Sequence, residues 1–472
     1  MNRKTKIICT IGPASESYTM IDKLARAGMD VARLNFSHGT YEEHAQQIVN
    51  IRKASSVVGS PLAILQDLPG PKIRTGRLTA EKVWLAEGAE IILTTDQIAG
   101  DEHRVSVSLK TLANDVHQGD VIFVADGTIR LEVIETTATD IRCHIVTGGM
   151  LTQMKGINVP GVRLSTQAVT DEDLEHLAFG LDHGIDYVAL SFITCVADIQ
   201  RAKAFIAARG ADVPVIAKIE RREALDNIDE LIEAADGVMV ARGDLGVEVP
   251  LSRVPIEQKR IVAKCNTVGK PVIVATQMLE SMVLAPRPTR AEASDVANAI
   301  LDGADAIMLS EETAIGTYPV QTVNTMAGIA SEAAGALPYQ HILAQKEETV
   351  VPQADDAICY AAVNIADQLS AAAILAFTTS GSTAMRVSKY RPRCPVIAVT
   401  PSEQVLRKLA LFWGLTPHLV RQYHSMDEVF DQGSEIAHML GVAHSGDLVV
   451  TTAGVPFGVA GNTNMVRVQR LP

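Results

Sequence analysis

The chain has 472 residues and carries 42 Lys and Arg against 55 Asp and Glu, which gives a formal net charge of −13. Its 47% hydrophobic and 21% charged residues are typical of a globular protein, so a mainly disordered chain is excluded and the length predicts several domains. The acidic balance argues against binding to nucleic acid or to a membrane surface, and no apolar run reaches the roughly 18 residues needed to span a bilayer.

The first apolar segment is IICTI, which ends at Gly12-Pro13 and is too short for a secretory signal. We therefore interpret it as a buried strand. The six cysteines are widely separated and form no C-x-x-C pair. This spacing is typical of a reduced protein without a zinc site, and we expect a cytoplasmic location.

One pattern recurs along the chain: a helical stretch ends in Gly or Ala-Asp, and a short apolar strand closed by polar residues follows. It occurs at residues 24–38, 181–192, 232–244, 266–278 and 301–313. Such strands, apolar without strict alternation, are typical of a parallel sheet buried on both faces. Segments 4–12, 61–68 and 214–220 bring the strands to eight.

Eight parallel strands with intervening helices predict a (β/α)₈ TIM barrel. The alternative is a doubly wound open sheet, which normally carries a Gly-rich phosphate turn after its first strand. The sequence contains no G-x-G-x-x-G or Walker A motif, so the barrel is favoured. Helix starts are predicted at Thr170, with Asp173 three residues on, and at Ser294.

The third and fourth strands lie too far apart for a simple barrel. Between them the runs KVWLAEGAEIIL, GDVIFVADGTIRLEVIE and DIRCHIVTGG alternate like antiparallel hairpins. We expect an inserted small β-barrel lid domain at 71–162, which leaves 1–70 and 163–338 for a barrel of nearly the roughly 250 residues that are typical. A C-terminal α/β domain is predicted over 339–472, with a helix at 354–368.

Polar residues concentrate at the carboxyl ends of the predicted strands, where barrel enzymes place their catalytic side chains. Alternation along a strand puts three groups of them on shared faces: Arg33 with Asn35 and Ser37, Lys218 with Glu220, and Arg242 with Asp244. They could be structural ion pairs. Buried ion pairs recover their desolvation cost poorly, however, so we favour a functional role.

Two converging carboxylates without His or Cys, Glu220 and Asp244, suit a hard cation such as Mg²⁺. Gly243 permits close approach of a ligand. The alternative is that Lys218 and Arg242 neutralise these carboxylates. Arg33 suits a phosphate group. Thr276 fits an ordinary strand residue equally well.

Six motifs in order resemble pyruvate kinase over the whole chain. They are CTIGPAS at 9–15, ARLNFSHG at 32–39, AKIERREALDNIDELI at 217–232, ARGDLGVE at 241–248, ATQMLESM at 275–282 and PTRAEASDVANAILDGADAIMLSEETAIG at 288–316. The resemblance implies transfer of the phosphoryl group of phosphoenolpyruvate to ADP, which gives pyruvate and ATP. It also implies a lid after the third strand, a C-terminal domain for effectors and oligomerisation, and a homotetramer.

The resemblance assigns roles to the residues of the motifs. It implies catalytic roles for Lys218, Arg33 and Thr276, and substrate contacts by Gly243 and Asp244 as well. Mg²⁺, with Mn²⁺ as an alternative, would bind Glu220 and Asp244. Nucleotide-side positions are matched by Asn35, Phe36, Ser37, His38 and Arg74.

Two positions depart from the family pattern. The family segment D-T-K-G-P-E-I-R is DLPGPKIR at 67–74. Asn35, Ser37 and Asp67 match monovalent-cation ligands, but Leu68 and Lys72 replace a Thr and a Glu. We expect the Lys72 ammonium to replace K⁺, so that no K⁺ is required. Separately, Glu172 stands where the family has a nucleotide-site lysine, which puts that contact in doubt.

A hydroxyl- and glycine-rich segment of the third domain resembles the family's effector region and suits a phosphate nest at a helix start. Its residues are Thr378, Thr379, Ser380, Gly381, Ser382 and Thr383. The loop at 454–464 would face it, and the activator would be a sugar phosphate or a nucleoside monophosphate such as AMP. The basic segment KYRPR, at 389–393, is interpreted as a structural turn. The rival functions are a Mg²⁺-enolate lyase or aldolase and a non-catalytic metabolite sensor.

Overall fold

In the computed structural model, which describes residues 3–125, 127–162, 164–457 and 461–472, eight parallel strands close into a barrel. The strands are Lys6–Ile11, Val31–Asn35, Ala63–Leu68, Tyr187–Leu190, Val215–Ile219, Gly237–Ala241, Val272–Ala275 and Ala306–Leu309. Each pairs with the next in this order, and the alignment of Lys6 with Ala306 closes the ring. The predicted barrel and its eight strand segments are confirmed.

The barrel strands are buried on both faces. One face fills the barrel interior with side chains such as Ile8, Leu65 and Met239, and the other packs against the surrounding helices. This two-sided burial explains why the strands read as continuous apolar runs.

Helices follow the strands around the barrel. They are Tyr18–Ala27, Tyr41–Val58, Asp171–Asp182, Val196–Ala208, Arg222–Asp226, Ile228–Ala234, Arg242–Glu248, Val254–Val268, Arg290–Leu301, Glu311–Ala314 and Pro319–Gly335, with a 3₁₀ turn at Glu280–Val283. The predicted start at Thr170 is confirmed, because its side chain and that of Asp173 form a reciprocal capping box. The predicted start at Ser294 is wrong. Thr289 and Glu292 form the capping box there, so the helix begins one turn earlier.

The inserted domain has its own apolar core and two sheets. Its strands are Lys82–Leu85, Glu90–Thr94, Arg104–Ser106, Val121–Val124, Ile129–Thr136, Asp140–Thr147, Gly149–Thr152 and Ile157–Asn158, with a helix at Leu112–Asp115. The pairing is antiparallel as expected, except that Ile92 aligns with Arg104 in a parallel pair. The connection at 95–103 is longer than a hairpin turn and brings the chain back to the same end.

The C-terminal domain is a five-stranded sheet flanked by helices. Its strands are Ala373–Phe377, Val396–Thr400, Leu415–Leu419, Leu448–Gly454 and Thr463–Arg470, of which only the last is antiparallel to its neighbour. Its helices are Tyr339–Lys346, Ala354–Gln368, Ser382–Lys389, Glu403–Lys408 and Met426–Met439, with 3₁₀ turns at Glu347–Thr349 and Leu409–Leu411. The helix predicted at 354–368 is confirmed.

Buried polar contacts join this domain to the amino-terminal end of the barrel. Lys6 Nζ donates to the carbonyl of Leu415 at 2.6 Å, and the hydroxyl of Tyr187 donates to the carbonyl of Lys408 at 2.5 Å. The opposite, carboxyl end of the barrel therefore stays free for the lid and the candidate site. Among the described residues, no helix is long and apolar enough to cross a membrane.

Candidate active site

Lys218 lies at the centre of the polar cluster at the carboxyl end of the barrel. Its ammonium is 2.8 Å from Glu220 Oε1 and 3.1 Å from Asp67 Oδ1, and it donates a 2.6 Å hydrogen bond to Ser191 Oγ. The residue is only 8% exposed. Three strands thus converge on one buried cation, because Asp67, Ser191, and Lys218 with Glu220 stand at or just beyond the ends of three different strands.

Arg33 approaches the same cluster from the second strand. Its Nε donates to Asp67 Oδ2 at 2.7 Å, and its Nη1 donates to Thr10 Oγ1 at 3.0 Å. These two bonds fix the guanidinium plane. Asp67 therefore holds Arg33 on one carboxylate oxygen and Lys218 on the other.

The charged groups in this cluster shift the pKa values of one another. Burial alone would raise the pKa of Asp67, but Lys218 and Arg33 together hold it below its ordinary value. Burial alone would lower the pKa of Lys218, and the two carboxylates raise it instead. Lys218 and Asp67 are thus both charged at neutral pH, which leaves a fixed cation facing the barrel mouth.

The charge of Asp244 reaches Glu220. Burial raises the pKa of Glu220 and the Asp244 charge raises it further, against the opposing effect of Lys218. Glu220 Oε2 accepts from the backbone N–H of Phe192 at 2.7 Å, whereas its buried Oε1 receives no hydrogen bond of good geometry. An oxygen with unused acceptor capacity, next to a second carboxylate, fits a hard divalent cation.

The two carboxylates form only a partial metal site. In the part of the chain that the structure describes, no group of three or more His, Cys, Asp or Glu side chains is arranged to hold a metal. A cation held by Glu220 and Asp244 alone would keep open positions, as Mg²⁺ does in sites where substrate oxygens complete its shell.

The strand face predicted for Arg242 and Asp244 is wrong, because a helix begins at Arg242. Side chains two apart on a helix point in different directions. Arg242 accordingly lies 2.7 Å from Asp295 and donates to the carbonyl of Thr276 at 2.8 Å. This ion pair removes support for the alternative in which Arg242 neutralises Asp244.

Thr276 has a strained backbone. Its φ is +70°, which is rare for a β-branched residue and costs about 1–3 kcal/mol, and the φ of the next residue, Gln277, is +54°. Thr276 Oγ1 accepts from the backbone N–H of Gly243 at 2.8 Å and donates to the carbonyl of Ala275 at 2.6 Å. The strain favours a functional position at Thr276, which the sequence left undecided.

The nucleotide-side candidates form the turn after the second strand. Asn35 Oδ1 accepts from the backbone N–H of Ser37 at 3.2 Å, which closes the turn. Phe36 is buried and stacks on His44, with ring centroids 4.1 Å apart, so its side chain anchors the turn. His38 is exposed on the turn. Partial desolvation of its ring lowers its pKa, and the charges of Arg74, Lys72 and Arg33 lower it further, so the imidazole is neutral at neutral pH.

Several other predicted positions lie near this turn. Arg74 donates to the carbonyl of Met154 within the lid. Lys72 is exposed in the segment that enters the lid, and its charge reaches His38. Leu68 is buried at the end of the third strand, with its carbonyl accepting from Ser191 Oγ at 2.7 Å. Glu172 is exposed in the first turn of its helix, 3.9 Å from His176.

The effector candidates line a cavity of the C-terminal domain. Thr378, Thr379, Ser380, Ser382 and Thr383 border it together with Tyr423, Phe457 and Asn462. Gly381 has φ +93°, precedes the helix at Ser382 and donates its N–H to Thr378 Oγ1 at 2.9 Å. The described part of the loop at 454–464 borders the same cavity; its residues 458–460 lie outside the described residues.

Sequence reasoning missed Thr10, which accepts a hydrogen bond from Arg33, and two residues after the fourth strand. Ser191 and Phe192 follow the fourth strand in the phrase YVALSF, and both contact the charged cluster. The rule that polar residues at strand ends carry function would have found Ser191. Phe192 acts through its backbone N–H, with φ +56°, and leaves no signal in the sequence.

Comparison with known proteins shows which family this chain is similar to. A model described as "Pyruvate kinase, barrel domain" matches residues 2–323, and one described as "Pyruvate kinase, alpha/beta domain" matches 356–469. The chain is 47% identical over 471 residues to a pyruvate kinase of Geobacillus stearothermophilus and 45% identical over 468 residues to one of Staphylococcus aureus strain MRSA252. Each alignment covers 99% of this chain and 80% of the relative. A crystal structure of a pyruvate kinase from Cryptosporidium parvum matches with a TM-score of 0.95 at 36% identity, covering 100% of this chain and 97% of that one.

Proposed function

This chain belongs to the pyruvate kinase family, and from that premise we propose how its residues carry the phosphoryl group of phosphoenolpyruvate to ADP. The observation that supports the proposal is the buried cluster in which Lys218 and Arg33 share Asp67 beside the carboxylates Glu220 and Asp244. An oxygen of the ADP β-phosphate forms the new P–O bond, and the bond from phosphorus to the enolate oxygen breaks. Protonation of the enolate carbon then gives pyruvate.

In this proposal, Arg33 and Lys218 stabilise most of the negative charge on the transferring phosphoryl group. Phosphoryl transfer needs mainly positioning and charge stabilisation. The Arg33 guanidinium, held on Asp67 and Thr10, and the Lys218 ammonium both face the mouth of the barrel with little freedom to reorient. Preorganised donors of this kind stabilise the charge of the transferring group without reorganisation during the step.

Glu220 and Asp244 would hold Mg²⁺, with Mn²⁺ as an alternative. When bound, the cation would supply Lewis-acid stabilisation of the substrate carboxylate and enolate oxygens. The Gly243 backbone and the Thr276 hydroxyl, joined by their 2.8 Å hydrogen bond, would position the carboxylate, and Thr276 would relay the proton. Asn35, Phe36, Ser37, His38 and Arg74 form the nucleotide side, and the lid at 71–162 excludes water.

The chain is proposed to need no K⁺. Asp67 already holds two cationic side chains, and Lys72 adds a third cation close to the turn that contains Asn35 and Ser37. A bound monovalent cation would add to a site whose negative charge is already balanced. The ammonium of Lys72 is the group that distinguishes this site from one with a carboxylate at that position.

The remaining proposals concern regulation and assembly. A sugar phosphate or a nucleoside monophosphate would bind the cavity beside Thr378–Thr383 and activate the enzyme, and the chain would form a cytoplasmic homotetramer. The domains would be 1–70 with 163–338, 71–162, and 339–472. Membership of the family removes the support for a lyase, an aldolase or a non-catalytic sensor.

Metal dependence tests the site assignment. We expect pyruvate formation from phosphoenolpyruvate and ADP to stop with EDTA and to return with Mg²⁺ or Mn²⁺. Glu220→Gln and Asp244→Asn should raise the metal concentration for half-maximal rate, roughly ten- to a hundredfold. Glu257→Gln is the matched control, since this buried carboxylate pairs with Arg253 and Arg260 on an outer helix. A full rate without a divalent cation would contradict the assignment.

A further inference from the structure

The lid is tied to the barrel by two connections that run past the candidate active site. The first passes Gly70, whose N–H donates to Asp173 Oδ1 at 3.0 Å. Gly70 has φ +64°, and a Cβ there would lie 3.1 Å from the Phe192 ring and the Ser191 carbonyl. This connection therefore packs directly on residues that hold Lys218 and Glu220. The second connection returns at Val162.

Arg221 holds the second connection. It directly follows Glu220 in the chain, its side chain is 9% exposed, and its Nη2 donates to the carbonyl of Val162 at 3.0 Å. Its Nε lies 3.5 Å from Glu223 Oε2 and is buried without a hydrogen bond of good geometry. A buried guanidinium thus donates a charge-assisted hydrogen bond to a backbone carbonyl of the lid connection.

A cavity lies between the lid and the barrel at this point. Arg221, Asp244 and Glu248 border it from the barrel, and Lys72 and Val159 border it from the lid connections. Glu248 is buried, which raises its pKa to about 7, and the nearby charge of Arg221 opposes that rise. Arg221 is therefore one of the groups through which the lid contacts the carboxylate side of the site.

We propose that Arg221 is a positioning residue that couples the carboxylate Glu220 to the lid through the carbonyl of Val162. The inference rests on the proposed function, because it assumes that the lid covers the reacting groups. The backbone that places the Glu220 carboxylate also places the Arg221 guanidinium, so ordering of Glu220 by its ligands is transmitted to the lid connection. Without this bond the lid closes less completely, and water competes with ADP for the phosphoryl group.

The competing reaction gives the test a specific signal. Transfer to ADP forms one ATP for each pyruvate, whereas transfer to water forms one inorganic phosphate for each pyruvate. We expect Arg221→Gln to raise the KM for phosphoenolpyruvate roughly tenfold or more and to raise the ratio of pyruvate to ATP above one. Arg221→Lys keeps the charge but loses the planar donor group, so its ratio should lie between those of the wild type and Arg221→Gln.

Arg52→Gln is the matched control. Arg52 donates to the carbonyl of Leu62 at 2.9 Å and pairs with the buried Asp186 at 2.8 Å, away from the lid connections. The Arg52→Gln enzyme should be less stable than the wild type and should still form one ATP for each pyruvate. An Arg221→Gln enzyme with the ratio and KM of Arg52→Gln would overturn the proposal. A wild type that forms no pyruvate would instead overturn the proposed function.

Hydrogen exchange on the wild type tests the coupling between Glu220 and the lid connection even when Arg221→Gln does not fold. Addition of Mg²⁺ with phosphoenolpyruvate should slow amide exchange in residues 157–162 and leave the distant lid strand Asp140–Thr147 unchanged. Neither reagent alone should have the full effect. Unchanged exchange in residues 157–162 would overturn the coupling.

Discussion

Replacement of Lys218 by Met removes the ammonium that separates two buried carboxylates. Asp67 would keep Arg33 at 2.7 Å, but Glu220 would keep only the N–H of Phe192. Removal of one partner from a buried ion pair typically costs about 3–5 kcal/mol, so we expect a loss of that order in the free energy of unfolding at pH 8. Loss of one preorganised charge at the transferring phosphoryl group should lower kcat roughly 10²- to 10³-fold.

The stability loss should depend on pH. Burial already raises the pKa of Glu220, and removal of Lys218 raises it further. Between the unfolded and folded pKa values the folded variant binds a proton that the unfolded chain has released, so its stability falls as the pH rises through that window. Urea unfolding near pH 6 should therefore show a smaller deficit relative to the wild type than unfolding at pH 8.

Lys6→Met is the control that distinguishes a loss of catalysis from a loss of stability. Lys6 is also buried, with its ammonium donating to the carbonyl of Leu415 and lying 3.8 Å from Asp30, but it stands at the opposite end of the same barrel. We expect it to lose stability and to keep kcat within a few-fold of the wild type. A Lys218→Met enzyme whose kcat also stayed within a few-fold would refute the role assigned to Lys218.

Three further predictions concern other parts of the chain. Lys72→Glu should make pyruvate formation dependent on KCl, whereas the wild type should respond little; a large K⁺ activation of the wild type would reject the built-in cation. Burial, aided by the charge of Arg391, lowers the pKa of Lys346 to about 7. Between about pH 7 and the higher unfolded value the folded chain binds fewer protons, so the unfolding free energy rises with pH by about 1.4 kcal/mol per unit. Lys346→Leu should remove this rise in urea unfolding, and an identical pH slope in both proteins would contradict it. Ser380→Asp should abolish activation by AMP or a sugar phosphate in rate curves against phosphoenolpyruvate; intact activation would exclude the cavity as the effector site.

The barrel was predictable because five of its strands carry the same local signal and the other three are apolar runs of similar length. An apolar run without alternation, a preceding helix that ends at Gly or Ala-Asp, and polar residues just beyond the strand together specify a buried parallel strand. Lys218 and Glu220 are two apart on such a strand, so their convergence followed from alternation alone. The capping box at Thr170 is likewise a local pattern.

Features set by tertiary contacts were not predictable. Arg242 looked like the end of a strand, but the chain turns into a helix at that residue and the side chain pairs with the distant Asp295. Thr276 has ordinary strand chemistry, and only its positive φ reveals strain. Phe36 lies in a polar motif, yet the ring is buried against His44. None of these outcomes follows from the local hydrophobic pattern of its segment.

Phosphoryl transfer at the cluster around Lys218 is tested most directly by the stoichiometry of the reaction in K⁺-free buffer. Purified protein, phosphoenolpyruvate, ADP and Mg²⁺ should yield pyruvate and ATP in equal amounts, with no pyruvate when ADP is left out. Pyruvate without ATP, or no pyruvate with or without added KCl, would contradict phosphoryl transfer at the cluster around Lys218.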